Sequence, residues 1–337
     1  MESSLVDMRK AVFSGLAAMV WPNRQRRVNF SNPLNGRRWL RLLVPDPRHG
    51  IRFHPNLDLG RRELGFSFRS NALGLRGPAS LDASQVLLGT SFAMGLSVDN
   101  GDNWYEQMLE SHLWLNAAMP VGPLNQIRLL DDIYTGNGGV LLYVYHPNIW
   151  KTAQSYLRVD AERRDVFDVM RWKSDHLSTW KLIPRWLAKE SVKAVSGLAC
   201  YARISEEPWY FNAGYCHLDF STNSALFEEV SDHLGALFAR FQKVVVLRVP
   251  IKEELAADEG LSLRLEALAR SYDRFWDAFR ARLAPHVEAH SLPRAAFGFA
   301  DFLPYDTHWS AQGNATFCRL AAPLLRQAGL QGISGSD

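Results

Sequence analysis

Between residues 85 and 250 the chain repeats one arrangement: a short, unbroken apolar run closed by small or polar residues. VLL at 86 to 88 stops at Gly89, HLWLN at 112 to 116 ends in Asn116, GVLLYVYHPN spans 139 to 148, and VVVLRVP spans 244 to 250. Runs of this length without polar alternation predict strands buried on both faces. Segments with helical spacing separate them. Trp104, Met108 and Leu109 fall on one face of a helix starting near Asp102, and PLNQIRLLDDIY at 123 to 134 has Pro in its first turn. Leu261, Leu265, Leu268, Tyr272, Phe275, Phe279 and Leu283 mark a long amphipathic helix, and AQGNATFCRLAAPLLRQAG supplies the last one. Strands alternating with helices predict an α/β fold, doubly wound, with a parallel sheet covered on both faces.

Two regions break the alternation. Residues 28 to 80 are rich in Pro, Gly, Asn and Arg, with β-like FSFRS at 66 to 70 and turn chemistry in NALGLRGP at 71 to 78. They predict a basic N-terminal extension over 1–80, packed on a core domain of 81–337. Residues 149 to 235 form an insertion between the third and fourth core strands, holding Trp150, Trp172, Trp180, Trp186 and Trp209 among many Arg and Lys. The simpler expectation is the core of a small helical subdomain; the functional alternative is a stacking platform for sugars or a lid over an acyl group.

Composition adds mainly exclusions. With 337 residues, 47% hydrophobic and 22% charged, the chain reads as an ordinary globular protein. A net charge of +3 is too small to point to nucleic acid. Cys200, Cys216 and Cys318 form an odd set without CxxC or His at ligand spacing, and are expected as buried thiols. No Gly-rich phosphate loop, dinucleotide fingerprint or paired His ligands are present, so neither cofactor nor metal is expected. The apolar stretch from Ala11 to Trp21 is shorter than the roughly 20 residues of a membrane span. Arg9, Lys10, Arg24, Arg26 and Arg27 flank it, which suits a helix lying weakly on a membrane surface. The expectation is a cytoplasmic or membrane-peripheral protein, with periplasmic export left open; the oligomeric state is not read from the sequence.

Candidate chemistry gathers at strand ends. In VLLGTSFAMG, Ser91 follows the first strand, where open α/β sheets bind their ligands. Ser91 is a candidate nucleophile, but on these ten residues alone Thr90 and Ser91 read more simply as caps of the following helix. In DTHWSAQGN at 306 to 314, Asp306 can turn its carboxylate to the His308 ring, fixing its tautomer. Gly122 follows the second strand and Asn148 the third. Main-chain N–H groups of Ser91 and Gly122, with the Asn148 amide, would give three oxyanion donors.

These blocks resemble the SGNH (GDSL-type) hydrolases. GTSFAMG at 89 to 95 matches their Ser block, NAAMPVGPLNQ at 116 to 126 the Gly block, YHPNI at 145 to 149 the Asn block and DTHWSAQGN the final Asp/His block. SNALGLRGP before the first strand is similar to the leader of polysaccharide-associated members related to alginate O-acetyltransferases. The pattern is departed from in places: Thr90 replaces the usual Asp, Ala118 and Val121 stand where glycines are usual, and the stretch from His146 to Ile149 lacks the Gly and Asp beside its Asn.

The resemblance implies a three-layer α/β/α fold with a mainly parallel, flavodoxin-like sheet, and an acyl-enzyme mechanism. It implies Ser91 as nucleophile, His308 as base, Asp306 as its orienter, and an oxyanion hole of Ser91, Gly122 and Asn148. The implied activity is hydrolysis of small acyl esters, O-acetyl groups of a carbohydrate above all. The alternatives are O-acyl transfer to a sugar or small-molecule hydroxyl, and an inactive carbohydrate-binding or scaffold protein.

Overall fold

The computed structural model describes residues 42–46, 50–61, 66–77, 83–134, 139–147, 149–150, 200–204, 207–211, 224–304 and 306–334. Two antiparallel pairs come first: β1 (Leu43–Asp46) with β2 (Gly50–Phe53), and β3 (Asp58–Leu59) with β4 (Phe68–Arg69). Phe53, Phe66, Phe68 and Leu75 are buried in the same apolar core as the strands that follow.

The core begins at β5 (Gln85–Gly89), followed by α1 (Trp104–Met108), β6 (Trp114–Asn116), α2 (Pro123–Ile133) and β7 (Val140–Tyr145). After the antiparallel pair β8 (Cys200–Ile204) and β9 (Glu207–Phe211) come α3 (Ser224–Phe238), β10 (Lys243–Arg248), α4 (Lys252–Asp258) and α5 (Leu263–Arg280). Strand β11 (Val287–Ser291) and α6 (Ala311–Gln327) complete the fold.

Five strands pair in parallel in the order β11-β10-β7-β5-β6. Counted from the β6 edge this is 2-1-3-4-5, the flavodoxin-like order, whose direction reverses between the first and third core strands. Right-handed crossovers then place α1 on one face and α2, α3 and α5 on the other. Packing agrees, since α1 meets α6 and α2 meets α3. The doubly wound α/β fold predicted from the sequence pattern, and the three-layer α/β/α arrangement that the resemblance implies, are both borne out.

The insertion differs from expectation. Strands β8 and β9 pair antiparallel where helix was expected, and α3 starts inside the predicted insertion as the crossover helix leading to β10. Trp150 is core: it is fully buried, stacks on Phe275 and Phe227, and donates its indole N–H to Tyr145 Oη at 2.5 Å. Replacing such a side chain by Ala costs about 3–5 kcal/mol. Trp172, Trp180 and Trp186 lie outside the described residues, as do Cys200's side chain, Cys216 and the stretch from Ala11 to Trp21. Cys318 is half-buried rather than buried, with burial pushing its thiol up to about 12. Among the described residues no helix is long and apolar enough to cross a membrane.

Candidate active site

In open sheets of this order ligands bind beyond the carboxyl ends of the strands at the reversal, which here lies between β5 and β7, and the register sets what faces what. Gly89 pairs with Val144. Two residues beyond each lie Ser91 and His146, and Phe92 stacks on the His146 ring with centroids 3.8 Å apart.

Ser91 does not start a helix. Gly89, Gly95 and Ser97 all have positive φ, at 141°, 69° and 74°. The intervening chain closes on itself: Met94 N–H donates to Thr90 O at 3.2 Å, and Leu96 N–H to Ser91 O at 3.0 Å. Such a turn does not continue as helix, because the left-handed residues Gly95 and Ser97 break the ladder. The capping expectation for Thr90 and Ser91 is thereby overturned. Helix α1 is capped by Asn103, whose side chain accepts from Glu106 N–H, and the Ser91 hydroxyl is left for other work. At Gly89 a Cβ would stand 2.7 Å from both Ala93 Cβ and Val144 O, so the close approach of β5 to β7 requires glycine.

Asp306 and His308 arrive on the turn between β11 and α6. Leu303 N–H donates to His308 O at 3.0 Å and Asp306 N–H to Leu303 O at 3.3 Å, closing the turn. Ser310 caps α6 by accepting from Gly313 N–H at 3.1 Å, so Asp306 is free of capping duty. Its Oδ1 lies 2.7 Å from His308 Nδ1, and His308 Nε2 lies 2.7 Å from Ser91 Oγ. All three residues are over nine-tenths buried.

The protonation pattern follows. Burial alone would raise the Asp306 carboxyl, but His308, then Lys252 and Ser97, outweigh it and hold the group below the usual carboxylate range. An ionised carboxylate only accepts hydrogen bonds. The ring proton therefore sits on Nδ1, leaving Nε2 to accept from the Ser91 hydroxyl, which is the arrangement that activates a serine.

Several neighbours escaped the sequence pattern. Ser97 Oγ donates to Asp306 Oδ2 at 3.1 Å. Lys252 lies at the start of α4, whose Glu254 is fully buried between Arg248 at 2.5 Å and Arg294 at 3.3 Å. Burial raises Glu254 while the two guanidiniums oppose it. Removing one partner of such a group leaves an uncompensated buried charge, a loss of about 3–5 kcal/mol, so α4 is firmly anchored. Phe92 stacks on His308 as well as His146, at 5.0 Å. Trp209 packs edge-to-face on Phe299, beneath this turn rather than exposed as a sugar platform.

The oxyanion residues are placed unequally. Gly122 is the N-cap of α2, and Gln126 binds its loop to the Ser block: Nε2 donates to Gly89 O and to Val121 O, both at 3.1 Å. Met119 N–H also donates to Gly89 O at 3.2 Å. The Gly and Ser blocks are thus adjacent. Asn148 lies outside the described residues.

Residues 205–336 match the family model of the SGNH hydrolase-like domain of the acetyltransferase AlgX. This is an SGNH hydrolase-like fold. The match takes in Asp306 and His308, with Ser91 upstream of it, and includes β9. The resemblance to SGNH hydrolases related to alginate O-acetyltransferases is borne out over residues 205–336. No curated protein and no solved structure gives a significant match to the chain.

Proposed function

We propose that the protein is a serine-dependent ester hydrolase acting on small acyl esters, with O-acetyl groups of a carbohydrate as the substrate class. The single observation carrying this reading is His308 bridging Ser91 Oγ and Asp306 Oδ1 at 2.7 Å on each side. In the first half-reaction Ser91 Oγ attacks the ester carbonyl carbon as its proton passes to His308 Nε2. Asp306 stabilises the imidazolium while the carbonyl oxygen carries the negative charge, met by N–H groups of Ser91 and Gly122 and by the Asn148 amide. Collapse breaks the bond to the alcohol oxygen, which leaves with the proton from Nε2, and an acyl-serine remains. Water then loses its proton to Nε2 and attacks the acyl carbon; the acid departs as Ser91 is reprotonated.

A second reading has its own support. The family model is named for an acetyltransferase. In that case a hydroxyl replaces water in the second half-reaction and a new ester is released, with no change in the residues used. No cofactor enters either scheme, and the expected partner is a small-molecule or carbohydrate ester.

The test is p-nitrophenyl acetate hydrolysis by wild type and Ser91→Ala, with organophosphonate labelling read by intact mass. Turnover and labelling that both vanish in the variant support the triad; acylated sugar formed in the presence of acceptor selects transfer over hydrolysis. A wild type that neither turns over nor labels sinks the enzymatic reading and leaves the inactive binding or scaffold protein.

A further inference from the structure

Lys252, the first residue of α4, has no solvent exposure. Its ammonium donates to three main-chain carbonyls of the turn that delivers the triad acid: Leu303 O at 3.0 Å, Pro304 O at 3.2 Å and Asp306 O at 2.7 Å. Three acceptors use all three protons of an ammonium. The rings of Trp209 and Phe211, on β9, have their centroids 5.7 and 5.6 Å from Nζ. That is cation–π range, so two aromatic faces lie against the charge.

Keeping a cation out of water is unfavourable, and burial draws this lysine down to about 8. An apolar side chain would fill the same volume without that penalty. What it could not do is bind three carbonyls that sit within a few residues of His308, or place a positive charge near the Asp306 carboxylate. Helix α4 itself is held from the other side by the buried Glu254 and its two arginines, so Lys252 grips the turn from a fixed support.

We propose that Lys252, covered by Trp209 and Phe211, is a positioning residue that holds the Leu303 to Asp306 turn so that the carboxylate meets His308 Nδ1. The inference rests on reading Ser91, His308 and Asp306 as a working triad. It also gives the β8–β9 pair a role, since β9 supplies both rings over the ammonium.

The experiment compares organophosphonate inactivation of wild type, Lys252→Met and Lys252→Gln, separating the maximal rate of labelling from the affinity for the probe, with near-ultraviolet circular dichroism to monitor the fold. Lys252→Met is expected to lower the labelling rate about tenfold or more with probe affinity little changed, and Lys252→Gln, which retains two N–H donors, to recover part of the loss. A folded Lys252→Met that labels at the wild-type rate overturns the proposal. Should Lys252→Met not fold, Trp209→Leu decides, because it removes one covering ring and leaves the lysine: slower labelling at unchanged affinity supports the role, and an unchanged rate overturns it. Failure of the triad reading is distinguishable, since it would show as a wild type that does not label at Ser91.

Discussion

Ser97 Oγ donates to Asp306 Oδ2 at 3.1 Å from a backbone held at φ 74°. A non-glycine residue in the left-handed region is strained by about 1 kcal/mol or more, and here the strain presents a hydroxyl to the second oxygen of the carboxylate. Stability and activity should therefore separate. Ser97→Gly relieves the backbone but deletes the bond, and is expected to hold or raise the melting temperature while lowering kcat on p-nitrophenyl acetate about tenfold. Ser97→Ala should lose similar activity and also be less stable than the glycine variant. Equal kcat for wild type and Ser97→Gly would show that the bond does not serve the triad.

His146 sets a pH dependence of stability. It is fully buried against Phe92, and burial, then the proximity of His308, hold its pKa well below the ordinary histidine value. Below about pH 6.5 the unfolded chain takes up a proton at this residue while the folded one does not. Protons thus favour unfolding, and stability falls as pH drops from about 6.5 toward the folded value, by at most about 1.4 kcal/mol per unit. Asp306 adds a second limb: its depressed pKa contributes stability above the unfolded carboxylate value near 4, lost as pH falls through the folded value. Urea midpoints measured from pH 7.5 to 5 should slope downward for wild type and flatten in His146→Leu. An equal slope in both would assign the dependence elsewhere.

The sheet was legible because its central strands are buried on both faces, so VLL, VLLYVY and VVVLR stand out as apolar runs. Strand β11, VEAHS, is a half-exposed edge strand with no such run, and was missed for that reason. In the site, Asp306 and His308 are two residues apart and share one turn, and Ser91 sits at a recognisable strand end. Ser97 and Lys252 reach Asp306 across 209 and 54 residues of sequence. Nothing local distinguishes such a serine or lysine from any other. The capping expectation for Ser91 failed because three positive-φ residues turn the chain before a helix can begin, and only Gly89 and Gly95 hint at this in sequence.

Gly89→Ala tests the approach of β5 to β7. The new methyl would meet Ala93 Cβ and Val144 O at 2.7 Å, with φ at 141° where L residues are strained. Strain and overpacking together predict a loss of about 2–4 kcal/mol. Because Val144 precedes His146 and Gly89 precedes Ser91 by two residues each, the displacement should reach the serine as well. Thermal melting and Ser91 labelling should both decline, and a variant with native melting behaviour would contradict the crowding.

Arg76 links the N-terminal segment to the same site, and its replacement should be felt at Ser91 without any contact between them. The fully buried guanidinium donates to Gly95 O, to Met94 O at 3.4 Å, to Val98 O at 2.8 Å and to Asn100 Oδ1 at 3.3 Å, so it holds the loop that carries Ser97. It also lies over the Phe68 ring at 5.1 Å. Only a planar fork reaches carbonyls on both terminal nitrogens; a lysine offers one point charge. Arg76→Lys should therefore keep the charge and lose the fork, leaving at least one buried carbonyl unpaired at about 1–3 kcal/mol. The expected result is a lower melting temperature, slower organophosphonate labelling of Ser91, and faster hydrogen exchange confined to residues 94 to 100. Slower labelling with unchanged exchange in that loop would mean that Arg76 acts by another route than the loop bearing Ser97.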